Sequence, residues 1–131
     1  MRGERVYATP LLDKLGVRQG ARVCLLGIDD RDFLRRLRGR TSDISARPRT
    51  ASDLIFLAAD SAAGLARLAR LEPYLKRDGA LWVVSRKGKA ATVRDVDVIA
   101  AAKAAGLVDN KVVSFSETHT ALRLVIPRAR R

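Results

Sequence analysis

Arg22-Val23-Cys24-Leu25-Leu26 is an almost uninterrupted apolar run of strand length. A strand of that composition is covered on both faces, which commits the chain to a layered α/β arrangement with a central parallel strand. The run passes through Gly27 and Ile28 into Asp29-Asp30-Arg31-Asp32. A turn that brings peptide N–H groups close to a ligand phosphate is built from residues without a Cβ. After Gly27 this turn supplies carboxylates instead.

Further elements follow with α/β spacing. Thr9-Pro10 before Leu11, Leu12 and Leu15, with Gly16 behind, reads as a short helix capped by Thr9 and stopped by glycine. Asp30 or Asp32 caps a helix that turns Phe33, Leu34 and Leu37 inward and Arg31, Arg35 and Arg38 outward. Residues 39–52 lose periodicity and read as a loop with a short extended piece around Ile44. Asp53 to Ala59 is a second buried strand, and Asp60-Ser61 caps a helix carrying Leu65, Leu68, Leu71 and Leu75, interrupted at Pro73. Asp78-Gly79 turns the chain into a third buried strand, Ala80 to Ser85, which contains Trp82. Thr92 to Ala105 is an alanine-rich helix with Thr92 and Asp95 spaced as a capping box and Val96, Ile99 and Ala100 inward. Lys111 to Ser116 and Thr120 to Ile126 are separated by three residues, too few for a parallel crossover, so they form an antiparallel hairpin. The predicted fold is Rossmann-like α/β, a three-layer sandwich on a mainly parallel sheet of about five strands. With 131 residues, one domain accounts for the whole length, with a basic tail at Pro127 to Arg131 that frays.

The 26 Lys and Arg residues outnumber the 14 Asp and Glu, a formal net charge of +12. Such a field attracts polyanions, although 20 of the 26 are arginine in an alanine-rich chain, which genome composition alone can produce. Arg35, Arg38, Arg47, Arg49, Arg67, Arg70 and Arg77 are the residues from which a nucleic-acid surface would be assembled. Aromatic residues, 5% of the chain, are not interleaved with them, so a base-stacking platform is absent. Cys24, the single cysteine, excludes internal disulfides and reads as a buried core thiol. His119 is the single histidine and reads as an exposed turn residue at the sheet periphery. No metal-ligand spacing, nucleophile elbow or catalytic group stands out. No apolar run approaches the length that crosses a bilayer, so the expected setting is cytoplasmic, without membrane contact.

Leu15-Gly16-Val17-Arg18-Gln19-Gly20-Ala21-Arg22-Val23, Leu75-Lys76-Arg77-Asp78-Gly79-Ala80-Leu81-Trp82-Val83 and Gly106-Leu107-Val108-Asp109-Asn110-Lys111-Val112 together resemble segments of the class I S-adenosylmethionine methyltransferase fold. The order of elements is similar to that fold with its second and third strands cut out. More narrowly, Thr9-Pro10-Leu11 with Lys14-Leu15-Gly16, Asp78 to Trp82, and Gly106-Leu107-Val108-Asp109 through Glu117-Thr118 resemble a bacterial family of small domains of unknown function. The resemblance is weakest from Asp29 to Ser52. It implies a truncated methyltransferase-like architecture without an established activity. It also implies adenosylmethionine as the cofactor to consider, yet the glycine loop is reduced to Gly27, and the strand that normally ends in the ribose-binding carboxylate is missing. The expectation is therefore no cofactor.

In an open α/β sheet, ligands bind beyond the carboxyl ends of the parallel strands. That edge gathers Gly27, Asp29 and Asp30 after the first strand, Asp60 and Ser61 after the second, and Ser85, Arg86 and Lys87 after the third. Arg86 to Lys89 includes Gly88 and precedes a helix, which suits a phosphate or carboxylate, though a solvated turn explains it too. The expected function is non-catalytic binding of an anionic small ligand or a protein partner at this edge. Two alternatives stand beside it: a divergent S-adenosylmethionine-dependent methyltransferase, and a nucleic-acid-binding protein.

Overall fold

The computed structural model describes residues 10–131. In chain order they form α1 (Leu11–Lys14), β1 (Val23–Leu26), α2 (Arg31–Arg38), β2 (Ile44–Ser45), β3 (Ser52–Ala58), α3 (Ala62–Leu65), α4 (Leu68–Leu71), β4 (Leu75–Arg86), α5 (Asp95–Ala104), β5 (Val108–Ser114) and β6 (His119–Val125). Short 3-10 turns occupy Glu72–Tyr74, Gly88–Ala90 and Arg128–Arg130. The sheet has six strands in the order β2-β1-β3-β4-β6-β5. The pairs from β2 to β4 are parallel, and β4–β6 and β6–β5 are antiparallel. This is the predicted Rossmann-like sandwich with one strand more than expected, the two-residue β2 beside β1. Thr9, expected to cap α1, lies outside the described residues.

The alternation of side chains along each strand sends two cores to opposite faces of the sheet. Cys24, Ile55, Leu57, Leu81 and Leu124 pack against α3, α4 and α5, while Val23, Phe56, Trp82 and Val125 pack against α1 and α2. All four residues of β1 are buried, as a doubly covered strand requires. Trp82 is fully buried and its indole N–H donates to the Leu15 carbonyl at 3.1 Å, so the largest core side chain leaves no polar atom unpaired. Phe33 of α2 packs edge-on against Phe56, with ring centroids 5.3 Å apart.

Four expectations change. The helix after Ser61 is two four-residue helices followed by a 3-10 turn at Pro73, and Leu75 opens β4 instead of closing a helix. Asp78-Gly79 is not a turn between elements but part of an irregularity inside β4, since Ser52 pairs with Leu75 and Leu54 with Ala80. Gly79 is required there, because a Cβ would lie 2.9 Å from the carbonyl oxygens of both Ser52 and Asp53. Helix α5 begins at Asp95, not Thr92: the Asp97 carboxylate accepts the Arg94 N–H, and the Thr92 hydroxyl instead donates to the Asp60 carbonyl. Val96 and Ile99 are exposed, and Val98 and Ala102 face the core. Two apolar stripes compete on that helix, and the buried anchors on either side of it, Val93 and Leu107, turn the second stripe inward.

The residues after β6 are docked and do not fray. The Arg130 guanidinium donates to the Gly106 carbonyl and sits 3.4 Å from the Glu72 carboxylate, Arg77 donates to the Arg130 carbonyl, and Arg131 Nε donates to Ile126 O at 2.8 Å. Glycine at 106, with φ +79°, ends α5 and leaves the space that this guanidinium fills. Among the described residues no helix is long and apolar enough to cross a membrane.

Candidate functional site

Parallel strands β1, β3 and β4 finish side by side, and their carboxyl ends, with the turn before β6, enclose a cleft of about 490 Å³. Five of the eight predicted site residues line it: Gly27, Asp29, Asp30, Asp60 and Arg86. Gly27 has φ +78°, and a Cβ there would stand 3.3 Å from the Ala58 Cβ, so glycine is what lets the end of β1 turn close against β3. Asp29 is exposed at the mouth. Asp30 is the cap of α2, its Oδ1 accepting the Phe33 N–H at 3.0 Å, which places its charge at the positive end of the helix dipole.

Asp60 joins two strands. Its Oδ1 accepts the backbone N–H of Arg86 at 2.8 Å and its carbonyl accepts the Thr92 hydroxyl at 2.5 Å, so the floor between β3 and β4 is fastened to the segment before α5. The Arg86 side chain is exposed on the opposite wall, with Arg31 also on the lining.

The other three predicted residues point elsewhere. Ser61 caps α3 through the Gly64 N–H at 3.0 Å, Ser85 is buried within β4, and Lys87 donates to the Ser114 hydroxyl at 2.7 Å on β5. The Gly88–Ala90 segment makes a 3-10 turn several residues ahead of α5, so it does not present helix N–H groups as the spacing of Arg86 to Lys89 suggested.

His119 and Thr118 line the cleft as well, a placement the sequence reading missed. It put His119 at the periphery, whereas β6 lies between β4 and β5 and sets His119 opposite Arg86. The reason is burial: Ala121, Leu122, Leu124 and Val125 make β6 the more apolar arm of the hairpin, and β5 takes the wet edge. The half-buried imidazole has its Nδ1 2.8 Å from the Thr118 hydroxyl. The cleft thus brings Asp29, Asp30 and Asp60 together with Arg31, Arg86 and His119.

Arg67, Arg70 and Arg77, which an unbroken helix after Ser61 would align, lie on different elements. Arg67 precedes α4, Arg70 lies in α4 and Arg77 belongs to β4. Arg35 pairs with Asp32 and Arg77 with Glu72, and Arg49 bonds Asp43 at 2.5 Å and the carbonyls of Val23 and Asp43. The Asp43 carboxylate raises the Arg49 pKa against the opposing effect of burial. Cys24 is fully buried, its sulfur 3.3 Å from the Ser52 hydroxyl, as expected of a core thiol. Among the described residues no three His, Cys, Asp or Glu side chains are grouped to hold a metal ion.

Solved structures share this arrangement. A SAM-dependent methyltransferase from Aquifex aeolicus superposes with a TM-score of 0.69 at 15% identity, covering 95% of this chain and 89% of that one. A TehB-like SAM-dependent methyltransferase from Corynebacterium glutamicum gives 0.58 at 14% identity, over 89% and 85% of the two chains. Magnesium protoporphyrin IX methyltransferase from Synechocystis, solved with bound SAM, gives 0.57 at 11%, over 89% and 74%. At such identities the likeness establishes the methyltransferase-like fold and nothing of the chemistry. No curated protein matches the chain by sequence. A family model, described as protein of unknown function (DUF3052), matches residues 60–128, from the end of β3 through the hairpin. That stretch is more than half of the 131 residues, and the chain therefore belongs to the DUF3052 family.

Proposed function

We propose that the chain is a non-catalytic, methyltransferase-like binding domain that holds a small anionic ligand in the cleft at the carboxyl ends of β1, β3 and β4. The observation that carries this reading is a cleft of about 490 Å³ with Arg31 and Arg86 on its lining, beside a β1–α2 turn in which Gly27 is the one glycine. Adenosylmethionine does not fit these residues well. Asp30 is already engaged in capping α2, and the two-residue β2, the strand beside β1 that the sequence reading left out, is followed by Ala46 and Arg47 and not by a ribose-binding carboxylate. Arg86 and Arg31 supply the positive wall that an anionic group needs.

Calorimetry and thermal shift with nucleotides, dicarboxylates and adenosylmethionine test this reading, guided by mass spectrometry of whatever co-purifies. The expected result is an anionic ligand whose affinity falls about tenfold in Arg86→Ala, as loss of one charge-assisted contact implies. Saturable adenosylmethionine binding accompanied by methyl transfer overturns it.

A divergent methyltransferase is the second reading, favoured by the coverage of the Aquifex enzyme's fold over 95% of this chain. It requires thermal protection by adenosylmethionine that weakens in Asp29→Ala or Asp60→Ala. Absence of any shift at saturating adenosylmethionine eliminates it.

A further inference from the structure

A second cavity, of about 380 Å³, opens at the amino-terminal ends of the same parallel strands, remote from the cleft just described. Its walls are the Gly16–Ala21 loop, the first residues of β3, the irregularity in β4 and Arg123 of β6. Arg123 is half-buried, pairs across the sheet with Trp82, and makes one polar side-chain contact among the described residues, to the amide oxygen of Asn110 at 3.3 Å. Among the described residues no carboxylate is paired with it. A guanidinium carries five N–H donors, and one amide contact leaves most of them available to an anion.

The nearby carboxylates are spoken for or solvated. Asp53, Lys76 and Asp78 line the cavity as well: Asp53 accepts the Arg22 N–H at 2.8 Å and the Lys76 ammonium at 3.1 Å, and Asp78 is exposed to solvent. Arg18, exposed in the loop and without a described ion-pair partner, lines the same cavity, and Gln19 adds an uncharged donor. Burial first, and then the charge of Arg131, disfavour the protonated form of Arg123, consistent with a cation that lacks its partner.

We propose that this cavity is an anion site for a phosphate group, held between Arg123 and Arg18 with Gln19 at its side. The site is independent of the strand-end cleft, whose cations are Arg31 and Arg86 at the other end of the sheet. Guanidinium groups match the oxygen geometry of a phosphate, which a chloride-sized ion does not exploit.

Isothermal titration calorimetry of the full chain with inorganic phosphate and with pyrophosphate, each against sodium chloride of equal ionic strength, tests the proposal. Wild type should bind phosphate in this cavity, with affinity falling about tenfold or more in Arg123→Gln and in Arg18→Gln and unchanged in Lys103→Gln, an exposed α5 cation outside both cavities. Arg18 is exposed, so Arg18→Gln keeps the test valid should Arg123→Gln misfold, which circular dichroism reports. No phosphate-specific heat in wild type, or affinity within twofold of wild type in Arg18→Gln, overturns it. Binding that is lost in Arg86→Ala instead also overturns it and assigns the phosphate to the strand-end cleft.

Discussion

The Asp60 carboxylate accepts the backbone N–H of Arg86 at 2.8 Å, joining the ends of β3 and β4, 26 residues apart in sequence. One side chain thereby extends the β3–β4 pairing past Ala58 and Val84 to the residue that bears the cleft guanidinium. Asp60→Ala should cost about 1 kcal/mol of unfolding free energy, the ordinary value of one such bond. Chemical denaturation measures it. Asp60→Asn, which keeps an acceptor oxygen, should lose less, and equal losses in the two variants would show that the bond contributes nothing.

Gly79 and Gly106 are expected to respond differently to alanine. At Gly79 the new Cβ meets two backbone carbonyls at 2.9 Å that cannot swing aside, so Gly79→Ala should destabilise by about 1–3 kcal/mol. At Gly106 the obstacle is the end of the Arg130 side chain, which can move, leaving a cost of about 1 kcal/mol from the left-handed backbone. Thermal melts of the two variants should rank in that order.

Asp53 carries a pH signature. Burial alone would raise its pKa, but the Arg22 N–H, the Lys76 ammonium and the charge of Arg18 together outweigh burial and hold it below the ordinary carboxylate value. A depressed native pKa adds stability that is fully present above the unfolded value, near about 3.9, and is lost as pH falls through the native one. Asp53→Asn should therefore be less stable than wild type at pH 7, by at most about 1 kcal/mol given its solvent exposure, and the difference should shrink below about pH 4. A gap that persists unchanged to pH 2 contradicts this assignment.

Glu72 holds the end of the described chain, with Arg77 at 3.7 Å and Arg130 at 3.4 Å. Its own side chain is only 12% exposed. Glu72→Gln should release residues 127–131, read as faster amide exchange there with little change in β4, at a global cost of about 1 kcal/mol or less. Exchange that is unaltered at the chain end would remove this role from Glu72.

Much of the architecture was legible because burial leaves a direct mark on strand composition: β1, the Leu54–Ala58 part of β3 and the Ala80–Val84 part of β4 are continuous apolar runs, and the three-residue link before Thr120 forced a hairpin. What was illegible was which of two similar options tertiary contacts would select. The register of α5 could not be read from a helix apolar on most sides, since Val93 and Leu107 decide it from outside. Nor could the inner arm of the hairpin be chosen without weighing β6 against β5, and His119 was misplaced in consequence. Five of the cleft residues followed from the strand-end rule alone, whereas Ser61, Ser85 and Lys87 are adjacent in sequence to cleft residues and point away, a difference that only side-chain direction settles.

Cys24 is the chain's only thiol, and it lies under both the sheet and the α3–α5 layer with no exposed surface. A maleimide can reach that sulfur only while this face of the sheet is uncovered. The molecule therefore carries a built-in stopwatch: the speed of its single alkylation reports how often that face opens, with no label to engineer and no second cysteine to confuse the trace.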